Sequence, residues 1–218
     1  MTPARRIGDA LRAQAPIVFL GPSLAPAQAR AILSADYRPP LRRGDLDAIG
    51  HPATVLVIDG LLDEEWRLPA AEAVAALQRG LELHGASSTG ALLAIELAQD
   101  GMRGSGRVFE LLRDFPGQRE NLVAVLQAGT PPRALTVPLV DVVLGYADAR
   151  PGTSRETLRA LVACLAGITL HERSWETIEA TMGRAGFVIP ASIRSVDAKG
   201  EDARALLSGF AESRRPRP

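Results

Sequence analysis

Short apolar runs, each closed by glycine or a polar turn, alternate with segments of helical spacing through the first half of the chain. Ile17-Val18-Phe19-Leu20 is apolar at consecutive positions and stops at Gly21-Pro22-Ser23, after which residues 25–33 carry a helical pattern. Val55-Leu56-Val57-Ile58 repeats the arrangement and ends at Asp59-Gly60. Residues 69–79 then predict a helix, with Pro69 suited to its first position and Gly80 to its end. A third run, residues 81–84, leads into Gly85-Ala86-Ser87-Ser88-Thr89-Gly90, and residues 91–98 continue as an apolar helix. Residues 37–41 predict a further short strand and 45–49 a helical turn. Strands that are apolar on both faces and separated by helices predict a parallel sheet covered on both sides.

From about Gly101 the alternation fades. Helical patterns run through 106–113, 155–164, 172–182 and 201–210, while 135–143 is open between an edge strand and a helix start because Pro138 interrupts it. The expected architecture is α/β: a parallel sheet flanked by helices, Rossmann-like, with a mostly helical C-terminal half. Its expected divisions are an N-terminal extension over 1–16, an α/β core over 17–134, a helical region packed on that core over 135–212, and a disordered tail over 213–218.

Composition narrows the function classes. The 218 residues are 46% hydrophobic, enough to bury a full core, and 25 basic residues cancel 25 acidic ones, so no overall field favours nucleic acid or an anionic membrane. The apolar runs fall far short of the roughly 20 residues of a membrane span. The N-terminal run lacks a cleavage pattern, and a cytoplasmic address is expected. Cys164, the single cysteine, lies in an apolar helical pattern and is expected to be a small buried thiol. Arginine supplies 24 of the 25 cationic side chains, which leaves Lys199 as the one lysine, a compact ammonium where the chain otherwise writes a planar fork. The chain holds no Gly-x-x-x-x-Gly-Lys, no Cys-x-x-Cys and no His-x-x-x-His. Neither a metal nor a cofactor is expected. Gly101-Met102-Arg103-Gly104-Ser105-Gly106 follows a helical segment and is not read as a phosphate loop, since such loops follow strands.

In an open parallel sheet, ligands bind outside the carboxyl ends of the strands. The turns carrying Gly21 and Ser23, Asp59 and Gly60, and the whole 85–90 segment are predicted to open onto one crevice. The 85–90 turn has two readings. One is a tight turn whose serine caps the following helix and whose free N–H groups form an anion site. The other is a nucleophile elbow, small-x-Ser-x-small, in which Ser88, framed by Ala86 and Gly90, fits better than Ser87. No histidine is placed as a base for either serine, so a Ser-His-Asp triad is not expected. Glu96, on an otherwise apolar helix face, either pairs with an arginine or serves the site.

The run His84 to Leu97, HGASSTGALLAIEL, followed by GMRGSGRVFELLRDF, resembles the pattern of the TfuA-like proteins, GASSMGALRAAEL with a following GM-x-G-x-G stretch. Similar segments fall at Gly21-Pro22-Ser23-Leu24, at Asp59-Gly60 and over 196–203, so the resemblance runs from about Ile17 to Leu207. The matching positions are Gly85, Ala86, Ser87, Ser88, Gly90, Ala91, Leu92 and Glu96, then Gly101, Met102, Gly104 and Gly106. The chain departs from the pattern at Thr89 and Leu93, where the family shows methionine and arginine. The resemblance implies a partner of a YcaO-type enzyme in peptide thioamidation, one that binds a thiocarboxylated ThiS-like sulfur carrier and hydrolyses it to sulfide. A docking subunit without catalysis is the alternative, and self-association stays open. The implied catalytic residues are Ser88 or Ser87; Gly21, Ser23, Asp59, Gly60, Gly85, Ala86, Thr89, Gly90, Glu96 and Lys199 are implied to bind the substrate.

Overall fold

The computed structural model describes residues 14–215, so most of the expected extension and part of the expected tail lie outside the described residues. Five strands form one parallel sheet: β1 (Ile17–Phe19), β2 (Asp36–Arg38), β3 (Thr54–Val57), β4 (Glu82–Gly85) and β5 (Arg103–Gly104), in the order β2-β1-β3-β4-β5. The strand order reverses between β1 and β3. Such a reversal opens a crevice at the carboxyl edge, because the connections that follow the two central strands leave toward opposite sides.

Alternation along β1 and β3 divides the core. Ile17, Phe19, Val55 and Val57 face one side with Ala73 and Ala76 of α2 (Ala70–Gln78) and with Leu93 of α3 (Thr89–Glu96). Val18, Leu20, Leu56 and Ile58 face the other with Ala29 of α1 (Pro26–Ile32). The second face is completed by Ala203, Leu206 and Leu207 of the last helix, α9 (Ala198–Ser213), which returns from the far end of the chain. Between these lie α4 (Arg107–Asp114), α5 (Arg119–Val123), α6 (Leu139–Ala149), α7 (Arg155–Ala166) and α8 (Trp175–Arg184). Their buried faces form a separate cluster that includes Val108, Leu112, Leu122, Val143, Leu161 and Ile178 and reaches back to Ala91 and Leu92 of α3.

Several expectations are revised. Residues 101–106 include the edge strand β5, so this segment is strand, turn and helix. It is nevertheless no phosphate loop: Asp202 of α9 fills the start of α4, accepting N–H bonds from Arg107 at 2.9 Å and Val108 at 2.8 Å. The protein's own carboxylate thus occupies the anion position at that helix N-terminus. Pro138 is the cap of α6, which settles 135–143 as a helix start. A small hairpin, β6 (Gln127–Ala128) with β7 (Arg133–Ala134), is additional. Cys164 is half-buried, its thiol donating to the Thr181 carbonyl at 3.7 Å across the seam between α7 and α8. Among the described residues no helix is long and apolar enough to cross a membrane.

Candidate functional site

The two turns beside the strand reversal are tied together by one side chain. Asp59 follows β3 and is buried; its Oδ2 accepts the Gly21 N–H at 2.9 Å and the Ser23 N–H at 3.2 Å, while its Oδ1 accepts the Ser23 hydroxyl at 2.6 Å. Three donors on one carboxylate clamp the end of β1 to the end of β3 and leave Asp59 little freedom to move.

The third turn is pressed against the same edge at backbone contact. A Cβ on Gly90 would lie 1.8 Å from the Val57 carbonyl oxygen, so only glycine lets α3 start so close to β3. The Ser88 and Gly90 N–H groups both donate to the Ile58 carbonyl, each at 3.3 Å. Two of the donors expected to face an anion are therefore spent within the fold. Ser88 stands at the N-cap of α3, yet its side chain makes no cap bond, and its hydroxyl has no partner among the described residues. Ser87 holds φ at +72°, is fully buried, and its hydroxyl also lacks a partner. Thr89 turns its hydroxyl to the Gly60 carbonyl at 2.9 Å and so joins the third turn to the second.

A cavity of about 450 Å³ opens where these turns meet. Pro22, Asp59, Gly60, Ser88 and Thr89 line it, together with Val123, the last residue of α5, and the following residues to Gln127. A second cavity of about 510 Å³ shares Leu61 and Gln127 with it and carries Arg38 and Arg42. Each of the three turns contributes to the first cavity, the turn after β1 only through Pro22, whereas Gly21 and Ser23 do not line it. Gly85, Ala86 and Gly90 lie beneath it as packing, and Glu96 is exposed at the far end of α3 and does not reach it. No histidine lines the cavity. His84 lies within β4, edge-on to Phe210, and burial, with a smaller contribution from Arg103, lowers its pKa to about 4.

Lys199, which precedes the helical pattern expected over 201–210, lies within the observed helix. It sits in the first turn of α9, is buried, and its ammonium donates to the carbonyl of Val123 at 3.1 Å, behind the cavity wall. Burial pushes its pKa down, against the pull of Asp59, Asp141 and Asp197. Arg173 holds the same wall. Its guanidinium bonds the Asn121 and Ala124 carbonyls at 2.8 and 3.1 Å and also the Asn121 side chain. Two buried cations thus cap the carboxyl end of α5. Neither Asp141 nor Arg173 is apparent from the motifs. The one signal for Asp141 is an acid inside the apolar run Leu139-Val140-Asp141-Val142-Val143.

Comparison with curated proteins finds no match. The family model described as TfuA-like protein matches residues 59–174, a stretch that holds Asp59, Gly60, the 85–90 turn, the α5 wall and Arg173, though neither Ser23 nor Lys199. That match covers more than half of the 218 residues, and the chain belongs to the TfuA-like protein family.

Proposed function

We propose that this chain is the partner of a YcaO-type enzyme that forms a thioamide on a ribosomally made peptide or protein, and that it hydrolyses the C-terminal thiocarboxylate of a ThiS-like carrier to deliver sulfide. The observation that carries this reading is the unengaged hydroxyl of Ser88 on the wall of a cavity at the strand reversal, in a member of the TfuA-like family. Hydrolysis forms a C–O bond from water and breaks the C–S bond, leaving the carrier's carboxylate and hydrogen sulfide. The thiocarboxylate is anionic and its carbon resists attack, so a nearby cation and a positioned hydroxyl are what the reaction needs. In this reading Ser88 attacks the carbon or orients the water. The ammonium of Lys199 adds positive potential from behind the wall that it holds at Val123, and the Asp59 clamp fixes the turns after β1 and β3 to each other.

Docking without catalysis is the second reading, favoured by the Ser88 and Gly90 N–H groups being spent on Ile58 and by the absence of histidine and cysteine from the cavity wall. The test is sulfide release from the thiocarboxylated carrier by the isolated protein, with carrier binding measured alongside. Release above the carrier's own background supports hydrolysis. Binding without release leaves docking, and neither one overturns both readings.

A further inference from the structure

The buried ammonium behind the cavity wall has a carbonyl as its only hydrogen-bond partner among the described residues, and none of their ion pairs within 4.0 Å includes it. Burying such a charge is costly unless something nearby compensates for it. Three carboxylates act on it: Asp59 from the end of β3, Asp141 from α6 and Asp197 at the cap of α9. Asp59 acts most strongly, and its oxygens are engaged by Gly21 and Ser23, neutral donors that leave its charge in place. Asp197 is exposed and shared with Arg204 at 3.1 Å. Asp141 is the one of the three whose carboxylate bonds Lys199 itself. It is buried, 7% exposed beside Lys199 at 4%, and its carboxylate bonds no side chain. Its Oδ1 takes the backbone N–H groups of Ala198 at 3.1 Å and Lys199 at 3.4 Å, so one oxygen holds the turn from which the lysine projects.

We propose that Asp141 is a positioning residue of the site: its carboxylate fixes the first turn of α9 and, together with Asp59, supplies the counter-charge that keeps the Lys199 ammonium protonated against the cavity wall. The purpose of this device rests on the thiocarboxylate reading, since an anionic chain end calls for a charged ammonium; the coupling itself does not. Burial acts on the two groups in opposite senses, raising Asp141 to about 7 and lowering Lys199, and each opposes the neutralisation of the other.

Lys199 is the single lysine of the chain, so lysine labelled with ¹³C at Cε and ¹⁵N at Nζ gives one side-chain signal in the full-length protein. In the wild type this signal should show its own titration and, near pH 7, a smaller step as Asp141 changes charge. Asp141→Asn keeps an oxygen acceptor for the two N–H groups but removes the charge. It should abolish the small step and lower the Lys199 midpoint by about one pH unit, as loss of a nearby opposite charge does. Asp197→Asn should move it less. An unchanged midpoint in a folded Asp141→Asn variant would mean that Asp141 is only a helix cap, and the proposal is then overturned. Should that variant not fold, Asp141→Ser, which keeps a hydroxyl acceptor without the charge, takes its place with the same two outcomes. Sulfide release from the same wild-type preparation keeps the questions apart. A lowered Lys199 midpoint in Asp141→Asn without release by the wild type retires hydrolysis and retains the coupling, and release with an unchanged midpoint does the reverse.

Discussion

Ser87 keeps its hydroxyl enclosed and unpartnered at a left-handed φ, whereas Ser88 keeps its own on the cavity wall and leaves the start of α3 uncapped. The two serines therefore respond differently to substitution. Ser88→Ala has no cap bond to lose and should change stability by no more than about 0.5 kcal/mol. If the hydroxyl attacks or orients water, the same change should lower sulfide release by roughly 100-fold or more. A full rate on a stable Ser88→Ala protein would remove the catalytic role and leave docking. Ser87→Gly should instead raise the unfolding free energy by about 1 kcal/mol, because it relieves a left-handed backbone and deletes a buried hydroxyl without a partner. A loss of stability there, read by urea denaturation, would show that the hydroxyl makes a favourable contact. The small-x-Ser-x-small frame points to Ser88 from the spacing of Ala86 and Gly90 around it, and Ser88 is the serine on the cavity wall. The positive φ falls one residue earlier, because backbone sign depends on how the turn meets β3, which no local pattern records.

Among the elements, α4 depends on a residue far along the chain. Asp202 accepts two N–H bonds at its start, and a Cβ on Gly106 would lie 2.3 Å from that carboxylate, so glycine and aspartate fit each other. Asp202→Ala should cost about 1–2 kcal/mol in urea denaturation, the usual effect of losing a helix N-cap, and Asp202→Asn should cost less since it keeps an acceptor. Equal stability for wild type and Asp202→Ala would show that water satisfies these N–H groups as well. Helices were legible where their period was long: 69–79 was expected and Ala70–Gln78 is observed, and 155–164 became Arg155–Ala166. β5, β6 and β7 were not, because each is two residues long and exists only through its neighbour. Lys199 was expected before a helix that began at 201. The structure starts that helix at Ala198, where Asp197 and Asp141 accept its first N–H groups.

Across the whole molecule, α9 returns to cover the sheet beside α1, and this brings Phe210 onto the ring of His84 at 4.7 Å between centroids. The folded state holds His84 at a pKa of about 4 against an ordinary 6.5, so the unfolded chain binds the proton more readily. The contribution of His84 to stability is then complete above about pH 6.5 and declines as the pH falls toward 4. Asp141, raised to about 7, acts in the opposite sense: its contribution is present at low pH and fades as the pH rises through 7. Comparing wild type with His84→Leu in urea at steps between pH 7 and 4 isolates the first effect. The variant should lose less stability than the wild type over that window, and parallel curves would show that His84 charges freely in the fold. By itself the sequence determined the alternation of buried strands and helices, the glycine-bearing turns after β1, β3 and β4, and the family pattern around Ser88. These are local matters, set by side-chain period and backbone permission within a few residues. Only the tertiary structure decided that Asp59 clamps Gly21 and Ser23, that Asp141 meets Lys199, and that the carboxyl end of α5 lines the cavity. Those partners lie tens of residues apart, and burial, which no local pattern expresses, is what gives their charges weight.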